Sequence, residues 1–429
     1  MTTITSRSNV DFFAAWKHSL SADFQHDGVP AKSDPWLMQA SKIAMSDNAL
    51  VLALNDDNAL LAAAVGHDIH VYDIATAQLL HTLPGDAGEK IASLEFQPGG
   101  RKIAAGSSQK SGKMTYMCRV WDLDAPVASD RLDDAVKAAA IAASSTLSQY
   151  WPLSDLEAAD LQTKFAEIAV GSLRNGRVFL GALPGHGSRA FSHDGRSLLY
   201  VSDHTHVVVL GVATLRERFR LSGHTNGIMW AETSPDDKVV ATTSWDKTTR
   251  IWSMESGELI HVLEGATMQS WAGAFSPDGA LIASGSGDKI IRIWRVDTGE
   301  LVHTLSGFTR WIRSLAFSPD GGHLAAGAGG GTLRVFDVAS GACEQSWQVD
   351  LQDDRSAATF IEISGVRYTA RGDLFFRSTE GRVFGYRTSD NLKWESGKVL
   401  LYGRFVTSKD GSLLITPLQD HSVCIWKID

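Results

Sequence analysis

The sequence predicts an all-β fold, a closed ring of small four-stranded sheets, and three observations predict it. Glycines, prolines and large aromatics recur every 42 residues: Gly223, Gly265 and Gly307; Pro235, Pro277 and Pro319; Trp252, Trp294 and Phe336. Between these markers, short apolar runs alternate with Gly, Pro and Asp turns, as antiparallel meanders do. The same punctuation returns more weakly along the rest of the chain. A period of this length marks a stacked or radial array.

The clearest unit runs from Gly265 to Leu305. Trp271 to Phe275 alternates as a first strand and is closed by the Ser276-Pro277-Asp278-Gly279 turn. Leu281 to Ser286 is the second strand, and Asp288-Lys289 begins a tight turn into a third, Ile290 to Trp294. Asp297 to Glu300 turns the chain into a fourth, Leu301 to Leu305. One such meander cannot bury both faces. It needs copies on either side, and closing the ring leaves only short, protected edges.

Eight units are legible. The turn between their first two strands falls at Asp57-Asn58, Pro98-Gly99, Asp194-Gly195, Asp236-Asp237, Asp278-Gly279, Asp320-Gly321, Gly372-Asp373 and Asp410-Gly411. The third strand ends in a large residue near Tyr72, Trp121, Leu210, Trp252, Trp294, Phe336, Tyr386 and Trp426. Eight sheets are therefore expected, with seven plus an irregular unit as the alternative.

This pattern resembles the WD40-repeat family. The residues that carry the likeness are Gly223-His224, Asp246, Trp252, Asp288, Trp294 and Trp121-Asp122. It spans about residues 36–429 and is most specific in units four to six, whose period resembles the WD40 arrays of fungal NACHT-type proteins. The resemblance implies a WD40-type β-propeller with a buried set of His, Ser or Thr, Asp and Trp inside a blade. Only unit four keeps that set, as His224, Ser244 or Thr242, Asp246 and Trp252. Ala266 and Phe308 stand in the His position of the next two units, and Gly330 in the Asp position, so packing is expected to dominate there. The family closes its ring by pairing its two ends. Here Trp36 to Ile43 is expected to supply the fourth strand beside Ser422 to Asp429, since an open edge is a weak seam.

Two segments depart from the period. Residues 1–35 form an N-terminal arm, with Phe12, Phe13 and Trp16 suggesting an amphipathic helix. A helical insertion is expected at about 125–166, from an Ala-rich run and the Ser154-to-Glu157 capping box. The loop Ser107 to Thr115 lengthens a hairpin.

Composition narrows the function. Hydrophobic residues make up 44% and charged residues 21%, enough for a packed core. A net charge of −9 argues against broad binding to nucleic acid or anionic lipid. The polar start lacks a secretory h-region, and Cys118, Cys343 and Cys424 have no metal-type spacing. A cytoplasmic protein is expected, with the nucleus as the alternative. No phosphate loop or nucleophile elbow is present: Gly185-His-Gly-Ser is followed by no lysine, and Ser284-Gly-Ser-Gly serves a tight turn. His193, His204 and His206 do not form a ligand set by spacing, and Asp350, Asp353 and Asp354 read as a solvated run. No enzyme, cofactor or metal is expected.

In WD40 propellers the opening of the innermost strand, and the residue before the tight-turn Asp, face the top surface. Mapped onto this chain by the resemblance, those positions are Asn226 and Met229, Gln269 and Trp271, Trp311 and Arg313, and Trp245. Trp and Arg are enriched at binding hot spots. The expected function is a scaffold that holds a protein or peptide partner on this face, with Arg313 favouring an acidic ligand. A small-ligand sensor using the central channel is the alternative.

Overall fold

The computed structural model describes residues 37–111, 113–124, 176–185, 187–348, 361–379, 381–387, 392–396 and 403–428. The expected N-terminal arm, Trp36, the helical insertion and the acidic run at 350–354 lie outside these residues. The described strands form eight antiparallel sheets, arranged as the eight blades of a β-propeller.

Blade five matches the meander read from the sequence: Ser270–Phe275, Leu281–Ser286, Ile291–Arg295 and Leu301–Leu305, hydrogen-bonded in that order. Blades four and six repeat it, opening on Ile228–Thr233 and Ile312–Phe317. Blade one opens on Ala49–Leu54 and blade seven on Ile363–Tyr368. Blade two runs Glu89–Phe96, Lys102–Ser111 and Lys113–Asp122, then takes its fourth strand, Arg177–Leu180, from beyond the insertion. The long hairpin between Lys102 and Asp122 accounts for the extra residues near Ser107.

Blade three departs from the four-stranded plan. Its regular strands are Ser197–Ser202, His206–Gly211 and Arg216–Ser222. The inner position is filled by an irregular segment that, among the described residues, pairs with the sheet through isolated bridges from Ala182 to Val201 and Phe191 to Leu198. Gly181, Pro184, Gly185 and Gly187 explain this, because neither residue type sustains a ladder.

The ring closes as the ends predict. Leu37–Ala44 pairs antiparallel with Ser422–Ile428 and completes blade eight, which begins at Val406–Thr407. The first and last described strands are thereby locked together, and the edge that Ser422–Ile428 would expose is covered.

The core lies between blades. Among the described residues each of the eight neighbouring blade pairs shares one buried apolar cluster. Trp230 and Ile251 of blade four meet Ile282 and Trp294 of blade five, for example. Ile363 of blade seven lies over Gly327 of blade six, where an added Cβ would sit 2.6 Å from the isoleucine. A larger residue there would push the blades apart. The large residues expected to end the third strands are buried from Tyr72 through Tyr386, and Trp426 is partly buried.

Candidate functional site: the top face and the blade networks beneath it

The top of the ring is the end at which the innermost strands open. Three backbone hydrogen bonds set its geometry: Trp245 N–H donates to Gly227 O at 2.8 Å, Gly287 N–H to Gln269 O at 2.7 Å and Gly329 N–H to Trp311 O at 2.9 Å. Trp245, Gly287 and Gly329 are thus equivalent positions in blades four, five and six. Only blade four places a large side chain there. In blade six the missing Cβ matters for the opposite reason: at Gly329 it would lie 3.3 Å from the Trp311 ring and 3.0 Å from Arg310 Cβ, so glycine lets that indole settle inward.

The side chains form a continuous array across four blades. Trp245 meets Trp271 edge to face, with ring centroids 5.3 Å apart. Arg313 lies over the other partner, its guanidinium carbon 4.9 Å from the Trp271 centroid. Glu362 of blade seven then accepts from both blade-six residues, from Arg313 Nε at 3.0 Å and from Trp311 Nε1 at 2.7 Å. Arg313 therefore already has a carboxylate partner, which removes the reason to expect an acidic ligand. Asn226 and Gln269 stand at the same end, on the strand openings of blades four and five, with Asn226 exposed and Gln269 partly buried. Trp245 keeps 37% of its surface accessible, while Trp271 and Trp311 are half-buried.

Blade four keeps the polar set implied by the resemblance, and the hydroxyl is that of Thr242. Trp252 Nε1 donates to Thr242 Oγ1 at 2.9 Å, Thr242 lies 2.7 Å from His224 Nε2, and His224 Nδ1 lies 2.7 Å from Asp246 Oδ2. Since the indole can only donate, the hydroxyl donates in turn to Nε2 and the imidazole donates from Nδ1 to the carboxylate. Burial pushes the His224 imidazole below its usual value against the pull of Asp246. Burial works to raise the Asp246 carboxyl, but hydrogen bonds from His224 and Thr248 hold it well below the carboxylate range. Ser244 has a different task, donating to Asn226 O at 2.9 Å. It thereby ties the network to the top-face loop.

Blades five and two solve the same problem with arginine. Arg292 pairs with Asp288 at 3.0 Å, both nearly buried, in the blade whose histidine position holds Ala266. The expectation that packing dominates in blade five is corrected: an ion pair stands in for the lost His. In blade two Arg119 pairs with Asp86 at 2.6 Å and Glu89 at 3.2 Å. Blade six does rely on packing, with Arg334 over Phe308 at 5.4 Å and Phe308 against Phe336. The signal for this was present as an arginine two residues before the terminal aromatic: Arg119, Arg250, Arg292 and Arg334.

Among the described residues no three metal-ligating side chains gather, and no helix is long and apolar enough to cross a membrane. Cys118 and Cys424 are buried thiols, pushed up to about 12 and about 11 by burial.

Comparison with known proteins agrees with this geometry. Residues 215–253, 257–295 and 299–337 each match the family model of the WD domain, G-beta repeat. Each match begins at the outermost strand of one blade and ends at the third strand of the next, so the repeat straddles two blades. No curated protein sequence matches the chain. The chain thus carries three WD40 repeats side by side, at 215–337, within an eight-bladed β-propeller.

Proposed function

We propose that the propeller is a non-catalytic scaffold that binds a protein or peptide partner on its top face, around Trp245, Trp271, Trp311, Arg313, Gln269 and Asn226. The observation that supports it best is the array from Trp245 through Trp271 and Arg313 to Glu362. Four blades contribute to one preorganised surface whose outer member, Trp245, remains open to solvent. A rigid aromatic wall loses little conformational entropy on binding, which favours it as an anchor. Because Glu362 neutralises Arg313, the surface selects by shape and apolar contact more than by charge. The partner expected is an extended segment that lays an apolar side chain against Trp245 and Trp271 and hydrogen-bonds to Asn226 and Gln269.

The test is selection of linear peptides displayed as a library on the full chain, followed by binding to Trp245→Ala and to Trp271→Ala. Enriched peptides that lose binding to both variants, while both rings melt cooperatively, support the reading. Undiminished binding to both retires this face.

A further inference from the structure

A second polar set lies deeper in the ring, toward the far ends of the innermost strands. Three of these strands carry a charged residue one position before their last: Glu95 in Glu89–Phe96, Glu232 in Ile228–Thr233 and Arg367 in Ile363–Tyr368. Blades five and six have Ala274 and Ala316 there. Arg189 joins from the irregular inner segment of blade three, and Arg404 from the lead into Val406–Thr407. Glu95, Arg189, Arg367 and Arg404 line one cavity of about 190 Å³.

The carboxylates and the guanidinium groups differ in what they already hold. Glu95 accepts from Ala190 N–H at 2.7 Å and Phe191 N–H at 3.4 Å, and Glu232 accepts from Arg189 N–H at 3.3 Å. Both glutamates therefore fasten the segment that lacks a regular strand. Asp56, also on the cavity wall, is engaged by Lys409 at 3.1 Å and by Gly99 N–H at 3.2 Å. Among the described residues the side chains of Arg189, Arg367 and Arg404 have neither an ion pair nor a hydrogen bond. Arg377 braces the site, donating to Gly403 O and Ser364 Oγ, each at 2.7 Å.

The arginines also act on one another. Burial and the neighbouring Arg189 lower the Arg367 guanidinium against the pull of Glu232 and Glu95, and burial and Arg367 lower Arg404. Both are accessible to solvent yet enclosed by the ring, as residues in a channel must be. Glu95 and Glu232 pull on Arg367, but the three guanidinium groups outnumber these two carboxylates, both of which already accept backbone N–H groups, and an added anion would relieve the excess. The planar guanidinium fork fits an oxyanion with several acceptor oxygens.

We infer that this channel cavity binds a small, multiply charged oxyanion of the phosphate class through Arg189, Arg367 and Arg404. The site is separate from the top face and does not depend on the reading given above.

The probe is pyrophosphate, added to the full chain at constant ionic strength, with sodium chloride and citrate as comparisons. Pyrophosphate is expected to raise the Tm by several degrees, since a ligand specific to the folded ring stabilises it. In calorimetric titration Arg367→Gln and Arg404→Gln are expected to weaken binding about tenfold or more. The melting temperature of Arg404→Gln in buffer should equal or exceed that of the unaltered chain, because this variant removes a charge that repels Arg367. Arg189→Gln gives the same reading if either variant fails to fold. Trp245→Ala should leave the pyrophosphate response intact. Absence of a response, an equal response in the arginine variants, or citrate binding at least as tightly would overturn the inference.

Discussion

Arg313 lies over the ring of Trp271, 4.9 Å from its centroid, while its Nε donates to Glu362 at 3.0 Å. The cation is thus sandwiched between an aromatic face and a carboxylate, and Trp311 shares the same carboxylate. Glu362 is the hub that ties blades six and seven at the top of the ring. Glu362→Ala leaves Arg313 and Trp311 without that acceptor and is expected to cost about 1–3 kcal/mol. Tryptophan fluorescence should shift to longer wavelength as the indoles take up water. An unchanged spectrum and Tm would mean that the array does not depend on its carboxylate.

Thr242 occupies the centre of the blade-four network, between Trp252 and His224. Thr242→Val keeps the shape and strands two polar nitrogens in the interior, so a loss of about 2–4 kcal/mol is expected in chemical denaturation. The pH dependence has a definite sign. The lowered His224 value gives stability that is present above about pH 6.5 and is lost as pH falls through the folded value. The lowered Asp246 value acts in the same direction, with its contribution present above pH 3.8 and lost below it. Acid should therefore weaken the unaltered ring more steeply than Thr242→Val.

Glu232 has the opposite sign. Burial pushes its carboxyl up to about 7, from an ordinary value of 4.5, against the pull of Arg189 and Arg367; Glu95 adds to the rise. Its contribution to stability is complete below pH 4.5 and is lost as pH rises through about 7. Glu232→Gln removes this charge and should be more stable than the unaltered chain at pH 8 by about 1–2 kcal/mol. A lower Tm at pH 8 would show that the anionic form is the one the fold favours.

In blade five, Arg292→Leu leaves Asp288 buried without its cation. The expected cost is about 3–5 kcal/mol, read as a lower midpoint in urea. The same change at Arg334, which stacks on Phe308 instead of pairing with a carboxylate, should cost clearly less. Equal costs would remove the distinction between an ion-paired blade and a packed one.

The 42-residue period makes the architecture legible because every blade buries the same faces against its neighbours. The third-strand aromatics, the turns and the closing strand Leu37–Ala44 all follow from that requirement. Trp245 was legible because it breaks the period where the next two units have Gly287 and Gly329, and Trp271, Trp311 and Arg313 because the resemblance sets these hot-spot residue types at strand openings. Glu362 was not, since blade seven lies beyond a longer connection that carries it out of register with the earlier units. The role of Arg292 was not legible from the missing histidine alone, although an arginine stands two residues before the terminal aromatic in blades two, four, five and six. The channel arginines sit in weakly patterned units, where only the ring brings Arg189, Arg367 and Arg404 to one cavity.

The most direct measurement is a calorimetric titration of a peptide selected on the unaltered chain into Trp245→Ala, a variant of the most exposed member of the array. The top-face account predicts affinity reduced about tenfold or more with the Tm unchanged, as for loss of a hot-spot aromatic. Equal affinity in the two proteins would contradict it.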